Sequence, residues 1–164
     1  MALIRLKKVD IRIGKVIGNR KMQVAALSQK NRSFPYESEF IERGLADVAV
    51  ARCLEVEFDG RKWKDNFTTI EEMHPHLHKI KPFLMMDGKV TVSVDANDEQ
   101  IVVVVNQVKP TWYNIIGYIS VKDAKKCPFL APKEEYHKVS ISQLGKATDL
   151  IKSYEIYKIT GRWQ

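Results

Sequence analysis

Cysteine is scarce in this chain. Cys53 and Cys127 are the only two, far apart and outside any Cys-x-x-Cys pattern. A disulfide framework is not expected, and a reducing, cytoplasmic setting is the default. Long apolar runs are also missing. The longest, Ile101-Val102-Val103-Val104-Val105, has the length of a strand, well short of the roughly 18–20 residues of a membrane helix. The first residues are basic but lack the apolar stretch of a secretory leader, so none is expected. The chain contains no Walker A loop, no Gly-x-Gly-x-x-Gly and no His-Glu-x-x-His. P-loop nucleotide hydrolysis, dinucleotide redox chemistry and zincin proteolysis therefore have no support. Repeats and low-complexity tracts are absent too.

What remains is a chain of 164 residues, 45% apolar and 29% charged. Such a composition folds, and the length suits one domain spanning 1–164. The net charge is +7, and its distribution is uneven. Residues 1–32 hold nine cations (Arg5, Lys7, Lys8, Arg12, Lys15, Arg20, Lys21, Lys30 and Arg32) against one acid, Asp10. The rest of the chain is close to neutral. A basic leader of this kind is the electrostatic footprint expected of a DNA- or RNA-binding protein, and equally the solvated face of an amphipathic helix.

Val9, Ile13, Val16, Ile17, Val24 and Leu27 recur at helical spacing, which places Lys8, Arg12 and Lys15 on one face. Gly14 and Gly18 weaken this helix by about 1 kcal/mol each. A second helix is expected from about Glu37 to Leu54. Asp59-Gly60 and Asp87-Gly88 each read as the turn of a hairpin, the second between Pro82–Met86 and Lys89–Val94. Ile101–Gln107 reads as a strand buried on both faces, with Asn114–Ser120 as its neighbour. Val121–Cys127 suggests a short helix and Val139–Ile141 a short strand. A helix over Ser142–Ser153 and a strand over Tyr154–Thr160 close the chain. The order argues for an α+β fold with a mixed central sheet flanked by helices.

Three segments carry a resemblance. They are Glu42-Arg43-Gly44-Leu45-Ala46-Asp47-Val48-Ala49-Val50-Ala51-Arg52-Cys53-Leu54, then Ile101–Asn106 with Tyr113–Ile119 and Ser120-Val121-Lys122-Asp123-Ala124, and finally Tyr136–Leu144. Their wording and order resemble small phage-encoded proteins of the PD-(D/E)xK restriction-endonuclease-like superfamily, over roughly residues 10–150. The resemblance implies a restriction-endonuclease-like sheet. It also implies acids and a lysine holding Mg²⁺ or Mn²⁺ for phosphodiester hydrolysis of DNA or RNA.

On that resemblance Asp47, Asp65 and Asp87 are the metal ligands. Asp65, Asp87 and Lys89 are the catalytic set, and Glu42 is a reserve ligand. Nucleic acid would lie along Lys8, Arg12, Lys15, Arg20 and Lys21. The chain departs from the pattern in two respects. Asp47 stands where the family has Glu, about one methylene shorter. The Asp-x-Lys triplet Asp87-Gly88-Lys89 also reads as a turn, and the alternative alignment on Lys89–Val94 puts Thr91 and Ser93 where the acid and lysine belong. A degenerate site implies a module that binds nucleic acid, or a host protein, without cutting. Two further features each allow two readings: the histidines of His74-Pro75-His76-Leu77-His78 are zinc ligands or plain loop, and Arg61-Lys62-Trp63-Lys64 is a base-stacking hairpin or plain surface.

Overall fold

The computed structural model describes residues 2–28, 37–56, 77 and 79–163. Asp65, the three histidines, the Asp59-Gly60 turn and the Arg61–Lys64 run lie outside them.

Strand β1 (Ala2–Arg5) leads directly into helix α1 (Lys8–Ser28). Asp10 starts the helix. Its carboxylate accepts the Lys7 backbone N–H at 2.9 Å, and it also accepts the Arg52 guanidinium at 2.5 Å. The first contact satisfies an amide that the helix leaves without a partner. The second fastens this end of α1 to the end of α2 (Glu37–Cys53). Asp10 is only 1% exposed, so the one acid of the basic leader is a structural residue.

Helices α1 and α2 cross at glycines. A β-carbon on Gly18 would stand 2.5 Å from the Phe40 carbonyl oxygen, and one on Gly44 would collide with the Gly14 carbonyl oxygen. Gly14 and Gly18, which cost helix propensity, are thus what lets the two backbones touch. Helix α2 ends in a Schellman motif: Val56 N–H donates to Ala51 O and Glu55 N–H to Arg52 O, with Glu55 at φ 56°.

The main sheet has the order β1-β5-β4-β2, from β2 (Ile80–Leu84), β4 (Ile101–Lys109) and β5 (Trp112–Ser120). Strand β4 runs antiparallel to β5 and parallel to β2, so the sheet is mixed. Ile101, Val103 and Val105 face the core shared with α1, α2 and the C-terminal helix, while Val102 and Val104 face a second core. The unbroken apolar run is therefore a strand covered on both sides, as expected. The β4–β5 turn has Pro110 at its first central position and Thr111 at φ 66° at its second, the pattern of a type II turn.

A two-stranded ribbon covers the other side of the sheet. Strand β3 (Val90–Ser93) pairs antiparallel with β6 (Tyr136–Val139). The ribbon packs Val90, Val92 and Val139 against Val102 and Val104, with Val121 and Ala124 of the short helix α3 (Val121–Ala124). The fold is α+β with a mixed four-stranded sheet flanked by helices.

Four expectations change. Asp87-Gly88 turns the chain, with Gly88 at φ 75°, but joins no hairpin: β2 and β3 belong to different sheets. Tyr154–Thr160 is helical, part of α4 (Ala147–Thr160), because Ala147, Leu150, Tyr154 and Tyr157 form a buried stripe at helical spacing. Strand β1 was not expected at all. Met86, read as core filling, is half exposed, whereas Met85 packs against the second core.

Candidate nucleic-acid interface

Helix α1 turns its polar side outward. Asp10, Ile13, Gly14, Ile17 and Gly18 are buried, leaving Lys8, Arg12 and Lys15 exposed on one stripe, as their spacing required. Arg20 and Lys21 lie partly buried, Lys21 on the opposite face. From Lys8 to Lys15 the helix rises ~10 Å, about the length of three phosphates along one strand.

Two cavities adjoin α1, one at the start of the stripe and one on the opposite face of the helix. At the start, Arg5, Lys7 and Lys8 line a hollow of about 500 Å³ with Thr111 of the β4–β5 turn. Beside it the Arg5 guanidinium lies 5.5 Å and the Lys109 ammonium 4.5 Å from the centre of the Trp112 ring. On the opposite face of the helix, at Lys21, is a larger cavity of about 590 Å³. It is framed by the second half of α1 and the middle of α2, by β2 and by the β3–β6 ribbon. Lys21, Arg43, Asp47, Asp87 and Lys89 all line it.

Asp47 and Lys21 form an ion pair at 2.8 Å, with the carboxylate 3% and the lysine 24% exposed. Asp87 is exposed, and its Oδ1 accepts the Lys89 backbone N–H at 3.2 Å, a local turn bond. Among the described residues, neither Arg43 nor Lys89 takes part in an ion pair. The cavity therefore brings three cations and two carboxylates together, and one carboxylate is already matched.

Four of the site residues read from the sequence, Lys21, Asp47, Asp87 and Lys89, thus line one cavity, although they come from two helices and from a turn far along the chain. Asp65 lies outside the described residues. Glu42 is engaged elsewhere: its Oε2 accepts the Tyr113 hydroxyl at 2.5 Å. Burial first, and this bond second, raise the Tyr113 pKa far above the usual phenol value. Thr91 lines the cavity as well, while Ser93 accepts the Asp95 backbone N–H at 3.2 Å.

A magnesium or manganese ion needs several oxygen ligands that are not already matched by cations. Here the Lys21 ammonium sits on Asp47 and Asp87 bonds its own turn. Among the described residues, no three His, Cys, Asp or Glu side chains gather closely enough to hold an ion. Asp65, the third ligand that the resemblance implies, lies outside the described residues. With Lys21 matched by Asp47, Arg43 and Lys89 remain as cations that an anion in the cavity can meet.

Arg43 was not singled out in the sequence. Its position four residues before Asp47 on one helix was the available signal. Phe83 and Tyr136, which also line the cavity, had no local signal, because only strand pairing brings them there. No helix among the described residues is long and apolar enough to cross a membrane. Comparison with protein-family models, with curated proteins and with solved structures finds no match for this chain.

Proposed function

We propose that this protein is a nucleic-acid-binding module of restriction-endonuclease-like ancestry that grips phosphates without cutting them. One observation carries the reading. Helix α1 presents cations on two faces: Lys8, Arg12 and Lys15 on its exposed stripe, and Lys21 on the opposite face, where it lines a cavity with Arg43 and Lys89. Phosphates lying along the stripe would be neutralised in turn, and the cavity would take a further phosphate on the other side of the helix. Affinity would come mainly from released counterions, so it would be steeply dependent on salt.

Fluorescence anisotropy with labelled DNA and RNA across a salt series tests this. Replacing Lys8, Arg12 and Lys15 together by Ala should lower the slope of log K against log salt by about 2 on a single strand and about 3 on duplex DNA. Binding that is absent, or a slope that does not change, rejects the reading.

A second reading is metal-dependent phosphodiester hydrolysis. It is favoured by Asp47, Asp87 and Lys89 lining one cavity. Incubation of the same substrates with Mg²⁺, Mn²⁺ or EDTA separates the two. For a binding module Asp87→Ala leaves affinity equal or higher, since it removes negative charge beside a phosphate. For a nuclease the same change abolishes cutting.

A further inference from the structure

The cavity beside Lys21 and Arg43 does not stop at its charged walls. A second cavity of about 340 Å³ adjoins it, and Phe83, Thr91 and Tyr136 line both. The two are lobes of one groove, and their chemistry differs. The larger lobe carries Lys21, Arg43 and Lys89. The smaller is walled mainly by Val92, Ala96 and Val102, with the cation Lys81 also lining it. Between them stand two rings, Phe83, partly buried, and Tyr136, 46% exposed. An aromatic side chain left this open at a junction between charge and apolar wall offers a face on which a flat ring can stack.

We propose that this groove takes a single unpaired nucleotide of a strand, its phosphate between Arg43 and Lys89 and its base against Tyr136 and Phe83. The inference rests on the nucleic-acid reading and narrows it to a class of substrate. A nucleotide matches both lobes: an anion at one end and a flat, largely apolar ring with polar edges at the other. Thr91 and Ser93 line the smaller lobe and carry hydroxyls that the edge of such a ring can use. A base inside a duplex can offer neither its faces nor its pairing edge. The groove therefore selects for single strands, frayed ends or extruded bases. The stripe on α1 carries no such preference, since it meets only backbone phosphate.

The test compares a short single strand with a blunt duplex of the same sequence, and uses a nucleoside 5′-monophosphate as competitor, by fluorescence anisotropy. The variants are Tyr136→Ala, Tyr136→Phe and Lys89→Ala, each checked for folding by circular dichroism. The expected result is preferential single-strand binding that falls about tenfold in Tyr136→Ala and is restored in Tyr136→Phe, with duplex binding unchanged by either. Lys89→Ala should weaken the single strand about threefold and the mononucleotide alike. Equal affinity for single strand and duplex, insensitive to Tyr136→Ala, overturns this inference while leaving the nucleic-acid reading in place. Loss of salt-dependent binding to every polymer overturns both. A labelled nucleoside 5′-monophosphate that binds through Tyr136 when no strand binds overturns the assignment to a strand.

Discussion

Lys21 and Asp47 face each other across the α1–α2 crossing at 2.8 Å, and the two are unequally buried, 24% against 3% exposed. This inequality governs what each substitution costs. Lys21→Ala leaves a buried carboxylate without its cation and should cost about 3 kcal/mol. Asp47→Asn leaves an ammonium that reaches water and should cost about 1 kcal/mol. Urea unfolding of both, and of the double variant, measures the coupling. The same pair predicts that millimolar Mg²⁺ does not raise the melting temperature. A magnesium site filled a hundredfold above its Kd would stabilise by about 2.7 kcal/mol, an easily seen shift.

The helix crossing should tolerate no side chain at Gly44. Its β-carbon would meet the backbone of Gly14 and Gly18, which cannot swing aside. Gly44→Ala is expected to cost about 3 kcal/mol. Gly88→Ala is the contrast. Nothing lies within 4 Å of its β-carbon, and only its φ of 75° opposes the change, for about 1 kcal/mol. Thermal melts that rank the two the other way round would contradict the crossing described here.

Stability should fall on the alkaline side, beginning near pH 9. Burial, and then the charge on Glu55, pushes the Cys53 thiol from 9.0 up to about 11. Burial likewise lifts Tyr154 from 10.0 up to about 12. In both cases the folded state keeps a proton that the unfolded chain releases. The stabilisation is whole below the unfolded pKa and is lost as pH rises through the folded one. Each such group adds a slope of about 1.4 kcal/mol per pH unit within its window. Urea midpoints at pH 8, 9, 10 and 11 follow this directly. Cys53→Ala should flatten the profile between pH 9 and 10 and leave the later fall, where Tyr154 acts.

Two non-glycine residues hold left-handed backbone at turns, Glu55 after α2 and Thr111 between β4 and β5. Glu55→Gly and Thr111→Gly should each stabilise by roughly 0.5–1 kcal/mol, with Thr111 gaining more because its β-branched side chain suits that conformation least. Denaturant titration of each variant decides it. No gain at Thr111 would mean that its contacts around the Leu6–Thr111 backbone bond at 2.8 Å outweigh the strain.

Local pattern carried much of this fold. The Lys8–Arg12–Lys15 stripe, helix α2 and the doubly covered strand β4 follow from spacing alone. Tyr154–Thr160 misled because tyrosine and isoleucine favour strands, and the Leu150–Tyr154–Tyr157 stripe was cut by placing a boundary at Ser153. Asp87-Gly88 has the composition of a hairpin turn, yet sequence says nothing about which sheet each flanking strand joins. The same gap hid half of the groove. Asp47, Asp87 and Lys89 were legible as residue types. Phe83 and Tyr136 became neighbours only through pairing of β2 with β4 and of β3 with β6.

Strand β1 holds the edge of the main sheet by pairing Ala2 with Ile115 and Arg5 with Trp112. The earliest strand in the chain thus waits for the second-to-last. Closing so large a loop is entropically slow, whereas the α1–α2 pair closes early through short-range contact. Folding should run from a preformed helical hairpin to a late zippering of the sheet edge. Until then the apolar flank of β5 stands uncapped, so the assembly order of this chain sets the interval in which it is most open to misassociation.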